Sequence, residues 1–209
     1  MKTIIATCSL IFLIGVSCRR KPSMDPVSCC PKVGISSDIS PAGPLDARTS
    51  IYQLPGLWTD QHDRSLELSR LKGKVQVMAM IFTHCGYACP RIVQDMKAIQ
   101  DSLPDAEKNN VGFVLVSFDT QRDDPAQLQR FAEQQALDGH WILLHGSSRQ
   151  VRELSMLLDI KYRQTGDNGF THSNSILILD NQGTVRTSLD GLEPQTGTAI
   201  DLIHRLTAG

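Results

Sequence analysis

One hexapeptide constrains this chain more than any other feature. Cys85-Gly86-Tyr87-Ala88-Cys89-Pro90 follows directly on a near-continuous apolar run, Val75 to Phe82, and opens a segment whose apolar residues recur at helical spacing. The run predicts a strand buried on both faces of a sheet. Ile92, Val93, Met96, Ile99 and Leu103 predict a helix over Pro90 to Leu103. The first thiol therefore belongs to a loop at a strand end and the second to a helix N-terminus. Free N–H groups and a positive partial charge there favour thiolate over thiol.

The residues around this unit extend the pattern. Leu57 to Thr59 and Ser65 to Leu68, separated by the polar Asp60 to Arg64, predict a hairpin. Asn109-Asn110 turns into a second buried strand, Val111 to Phe118. Asp124 as N-cap and Pro125 at the first helical position start a helix to about Gln135. Trp141 to Leu144 predicts a short strand and Ser148 to Leu158 a helix. Ser175 to Leu179 and Thr184 to Leu189 flank Asp180-Asn181-Gln182-Gly183 as a hairpin, and Thr198 to Leu206 closes the chain as a helix. This is the thioredoxin order: an α/β domain over residues 51–209, a central mixed sheet flanked by helices. To it are added an N-terminal β-hairpin and a middle insertion.

Residues 1–50 read differently. One Lys precedes an apolar run from Thr3 to Val16, short for a membrane span, which needs about 20 residues. Small residues end the run and Cys18 follows, so residues 1–17 are predicted to be a lipoprotein-type signal peptide and Cys18 the acylated terminus. The rival is an uncleaved anchor, against which Arg19-Arg20-Lys21 sits awkwardly. Residues 18–50 hold five of the ten prolines and almost no large apolar residue, and are predicted to be a tether. Cys29 and Cys30 lie inside it, as a vicinal disulfide, an accessory metal site, or incidental residues. Exported and membrane-anchored, the domain would work outside the cytoplasmic membrane. Lys and Arg total 21 against 22 acids, too balanced for a protein that neutralises nucleic-acid phosphates. Six cysteines among 209 residues are too few for a disulfide scaffold, so their positions carry the information.

With three residues between the sulfurs, the pair is one residue wider than a C-x-x-C exchanger, though a disulfide stays within reach. Two soft thiolates a few ångströms apart also suit Cu(I). A purely structural bridge would close a loop too small to stabilise much by chain entropy. A copper site needs a third group, and His172 is the best placed of six histidines, in the loop just before the strand Ser175 to Leu179. Thioredoxins carry a cis-proline in that loop, and no proline occurs here between Pro125 and Pro194. His84 is expected to point away from Cys85, into solvent or behind the site. His62, His140, His145 and His204 show no ligand spacing. Met78 and Met80 share one face of a buried strand and are expected in the core.

FTHCGYACP (Phe82–Pro90), SFDTQRDDP (Ser117–Pro125) and THSNSILILDNQG (Thr171–Gly183) together resemble the SCO/SenC family of copper proteins involved in cytochrome c oxidase assembly. The resemblance implies a thioredoxin-like fold in which Cys85, Cys89 and His172 bind copper; one ion per chain is expected, as Cu(I) with Cu(II) the alternative. It also implies a domain tethered to a membrane. Asp119 and Asp123 match family acids, by capping and loop structure or by steering a partner. Arg91 departs from the family pattern and would add positive charge beside the thiolates. Two functions follow. One is a metallochaperone, not an enzyme, that delivers copper to the binuclear copper centre of an oxidase subunit or another copper acceptor. The alternative is a thiol–disulfide oxidoreductase using the Cys85/Cys89 pair on an oxidase subunit, itself served by a thioredoxin-type reductant. A third, weaker reading is a thiol peroxidase assisted by Thr83 and Arg91, in which His172 has no part.

Overall fold

Seven strands form one mixed sheet, and its order decides where the thiols lie. The computed structural model describes residues 49–166 and 169–208. The expected signal peptide, Cys18, Cys29, Cys30 and nearly all of the tether fall outside the described residues. In chain order, a 3-10 turn (Ile51–Gln53) precedes β1 (Trp58–Asp60) and β2 (Ser65–Leu66). A second 3-10 turn (Leu68–Leu71) leads to β3 (Val75–Ile81), α1 (Ala88–Ser102) and the single-turn α2 (Asp105–Lys108). Then come β4 (Val111–Ser117), α3 (Pro125–Gln134), β5 (Trp141–His145) and α4 (Ser148–Leu157). A small hairpin, β6 (Tyr162–Gln164) and β7 (Phe170–His172), is followed by β8 (Ser175–Leu179), β9 (Val185–Asp190) and α5 (Gly197–Thr207).

The sheet runs β2-β1-β5-β4-β3-β8-β9, and β6 with β7 forms a separate two-stranded sheet. Every residue of β3 is buried, as its apolar run requires, with Met78 and Met80 in the core. Strand β3 lies parallel to β4, with Val75 opposite Val111 and Ile81 opposite Ser117. On its other side β8 is antiparallel, with Ala79 opposite Ile176. The end of β3, the end of β4 and the start of β8 therefore meet at one edge of the sheet. The loops at that end carry the first two motifs singled out in the sequence and the start of the third, Thr171 to Asn174.

Local chemistry sets the helix starts. The Asp124 side chain accepts from the Gln127 N–H with Pro125 in the first turn of α3. Ser147 and Gln150 form a reciprocal capping box on α4. At the far end of the sheet the β8–β9 turn needs Gly183, at φ +77°, because a Cβ there would sit 2.7 Å from the Tyr52 ring. Three details differ from the sequence expectation. Helix α1 begins two residues earlier, at Ala88, so Cys89 lies within its first turn. Helix α2 is additional. The segment expected as a loop before β8 is partly strand: His172 ends β7 and pairs with Tyr162. A three-residue strand has too few side chains to show a period of two, which is why it was invisible in the sequence.

Candidate metal centre

The loop after β3 brings the thiols together and backbone amides hold them. Phe82 N–H donates to Cys89 Sγ at 3.4 Å, and Cys89 N–H donates to Cys85 Sγ at 3.3 Å. Cys89 is buried and Cys85 half-buried, and both thiols are free. From the β7 end, His172 places Nε2 at 3.8 Å from Cys89 Sγ. One donor atom from each of Cys85, Cys89 and His172 lies within 4.8 Å of the other two. The structure thus assembles the three residues singled out as copper ligands, although His172 is 83 positions from Cys89 in the chain.

The imidazole is fixed on both sides. Its Nδ1 lies 2.9 Å from the Ser173 carbonyl, which can only accept, so Nδ1 carries the proton and the Nε2 lone pair of the neutral ring faces the sulfurs. Its ring packs against Phe118, centroids 5.0 Å apart, and edge-on to Phe82 at 6.0 Å. Phe170, two residues before His172 on the same strand face, packs on both rings. This aromatic wall escaped the sequence reading. The Phe170-x-His172 spacing was its one signal, since residues two apart on a strand share a face.

The two sulfurs are not equivalent. A hydrogen bond from Cys89 holds the Cys85 thiol down at about 3 against its burial, helped by His172 and the backbone N–H groups of Cys89 and Tyr87. Cys89, which donates that bond, is pushed up from its ordinary value, and burial and the Asp123 carboxylate add to the push. Burial works against protonation of His172, but the Cys85 thiolate and the Ser173 carbonyl outweigh it and raise its pKa. The resting site is a thiolate at Cys85 beside a thiol at Cys89.

His84, Asp119 and Asp123 form a second group whose donor atoms lie within 4.8 Å of one another. His84 is exposed, as expected, with Nδ1 3.2 Å from Thr83 Oγ1 and 3.4 Å from Asp123 Oδ1. Asp123 is fully buried and accepts from the Thr83 N–H at 2.8 Å and from the hydroxyls of Thr83 and Ser117 at 2.6 Å each. Asp119 is also buried and ion-paired to Arg122. The structural role foreseen for both acids is what their contacts display. Arg91 pairs with Glu193, with Asp95 nearby, rather than with the thiolates. Thr83 is held by Asp123 and Gln127. Neither residue is therefore turned to the thiols as a peroxidase would need. His140 and His204 pair with Asp138 and Glu107, and neither these nor His62 and His145 join a ligand group among the described residues.

Comparison with known proteins gives a consistent picture. The SCO1/SenC family matches residues 51–208. The SCO1 protein homologue of Bacillus subtilis (strain 168) is 29% identical over 192 residues, covering 90% of this chain and 87% of that protein. Among solved structures, BsSco, a member of the Sco family of cytochrome c oxidase assembly proteins studied for a disulfide switch, superposes with a TM-score of 0.66. It is 25% identical, over 78% of this chain and 96% of that one. Bradyrhizobium japonicum ScoI with copper bound superposes with a TM-score of 0.62 at 21% identity, over 73% of this chain and 97% of that one, a likeness of fold.

Proposed function

The chain belongs to the SCO1/SenC family, and from that premise we propose that it binds one copper ion through Cys85, Cys89 and His172 and delivers it to the binuclear copper centre of cytochrome c oxidase. The observation that carries the proposal is the set of lone pairs at the end of β3: two sulfurs and an unprotonated imidazole nitrogen, all within 4.8 Å. Thiolate and imidazole ligands sit roughly 2.0–2.3 Å from a first-row metal ion of this size. Three such ligands in a plane stand roughly 3.8 Å apart by trigonal geometry, and the Cys89–His172 separation is 3.8 Å. Soft sulfur donors in a three-fold array favour Cu(I).

Copper here is cargo. Cys85 reaches the surface and its neighbour Tyr87 is 77% exposed, so an incoming acceptor ligand has a route to the metal. Binding removes the proton from Cys89 Sγ, and release returns it. The Ser173 carbonyl keeps the imidazole in the tautomer that binds.

A second reading has its own observation. An accessible thiolate paired with a buried thiol is the asymmetry a dithiol reductant uses: Cys85 attacks, Cys89 resolves. The disulfide switch described for BsSco supports keeping it. Replacing His172 separates the two functions. His172→Ala removes one of three ligands, and should weaken copper binding by more than the roughly 100-fold that marks the upper range for indirect, outer-shell changes. It should leave the Cys85–Cys89 disulfide forming at a similar potential. Copper titration and oxidase maturation in cells read the outcome. If His172→Ala sustains full oxidase assembly at limiting copper while Cys85→Ser does not, the pair acts as a reductant and delivery is wrong.

The same proposal makes the domain exported and tethered through Cys18. The support is the short apolar run with small residues before that cysteine. Intact mass of the detergent-extracted protein should show loss of residues 1–17 and a lipid adduct. A mass that retains Met1 means an uncleaved anchor.

A further inference from the structure

A groove beside the metal centre is built for a charged partner. Its walls are the start of the β4–α3 loop, α4 and the β6–β7 hairpin, and it encloses about 550 Å³. Phe118, Tyr162 and Phe170 line its apolar side, with Phe118 and Tyr162 stacked at 5.2 Å between centroids. Arg152, Lys161 and Arg163 stand along it, all exposed and none in an ion pair among the described residues. Asp119, the one acid among its described lining residues, is buried and paired with Arg122. A smaller hollow of about 330 Å³ shares Lys161, Tyr162 and Arg163 and ends on His172.

We propose that this groove docks an acidic segment of the copper acceptor, bringing the acceptor's ligands up to His172 and Cys85. The inference rests on the delivery reading and names the surface it uses. Three cations without an ion pair among the described residues, on a chain of net charge −1, favour an anionic partner. Their spread along the groove suits an extended polypeptide rather than a single small anion. A flat lipid surface could not follow the concave wall. A peptide with an apolar side chain among its acids meets both the charge and the rings.

The test uses the full chain, copper-loaded, against the purified copper-bearing domain of the oxidase subunit from the same organism. Arg152→Glu with Arg163→Glu should weaken association at least about tenfold at low salt, chiefly through the on-rate, with most of the difference lost at about 0.5 M salt. Lys72→Glu with Lys74→Glu makes the same change in net charge at the opposite end of β3, and should weaken it by less than about threefold. Copper titration should give wild-type stoichiometry for both pairs. If the Glu pair lowers that stoichiometry, Arg152→Gln with Arg163→Gln replaces it, with a loss of at least about threefold expected.

Equal losses from the two pairs overturn the proposal, because overall charge then suffices. Wild-type association by the groove variant overturns it while the delivery reading stands. Failure of the wild-type protein itself to associate overturns delivery, and the occupant of the groove with it. Vesicles of anionic phospholipid provide the last arm. If the groove variant loses vesicle binding yet keeps the acceptor, the site is for lipid and the proposal is wrong.

Discussion

Two triads of metal-ligating side chains share one end of the sheet, and they are opposites. Cys85, Cys89 and His172 aim their donor atoms at one another, and one backbone N–H donates to each sulfur, at 3.3 and 3.4 Å. In the second triad Asp123 is surrounded by donors at 2.6 to 2.8 Å and Asp119 is held by a guanidinium. Both triads meet the same distance criterion. What separates them is whether lone pairs remain. A carboxylate already accepting three bonds in a dry environment has little to offer a cation, whereas two soft sulfurs beside an imidazole whose Nε2 faces them keep lone pairs for one. Proximity of ligand types alone is a poor guide to a site; the state of their hydrogen bonds decides.

The largest effect expected from the second triad is on folding, not on metal. Asp123→Ala strands the Thr83 N–H and the Ser117 hydroxyl in a buried setting and releases the loop leading to Cys85. The loss should be about 2–4 kcal/mol of stability, by analogy with buried hydrogen bonds to charged groups. Urea unfolding measures it, and copper titration of the folded protein should still reach one ion per chain. A variant of unchanged stability that cannot bind copper would make Asp123 a ligand and collapse the distinction.

That distinction was only half legible in the sequence. The Cys85 and Cys89 pair announced itself because an all-apolar strand must end where the motif begins, and Pro90 with the spaced residues after it must start a helix. His172 could be nominated from its place before β8, because an antiparallel neighbour of β3 starts where β3 ends. The pairing of His172 with Tyr162 could not be foreseen, nor the rings of Phe82, Phe118 and Phe170 that seat it. Those contacts join residues far apart in the chain, and the strands that carry them are three residues long. Asp119 and Asp123 were ambiguous for the same reason. An acid in a loop motif reads alike whether it meets water, a metal or, as here, Thr83, Ser117 and Arg122.

A smaller effect, on proton release, tests the contrast most directly. Cys85 is held at about 3 and reaches neutral pH already a thiolate, so it gives up no proton to copper. Cys89 is raised, so copper must displace its proton throughout the neutral range. His172 is raised as well, so it adds a second displaced proton only below its own pKa. Affinity should therefore fall as pH falls, by about tenfold per pH unit on the alkaline side and more steeply after His172 charges. Titrating copper between about pH 5 and 9 and counting released protons by calorimetry in two buffers gives both slopes. The His84→Ala variant should trace the same curve, because His84 stands with the hydrogen-bonded acids and not with the thiols. If His84→Ala removes the second proton instead, the imidazole on the metal is His84, and the two triads have been assigned the wrong way round.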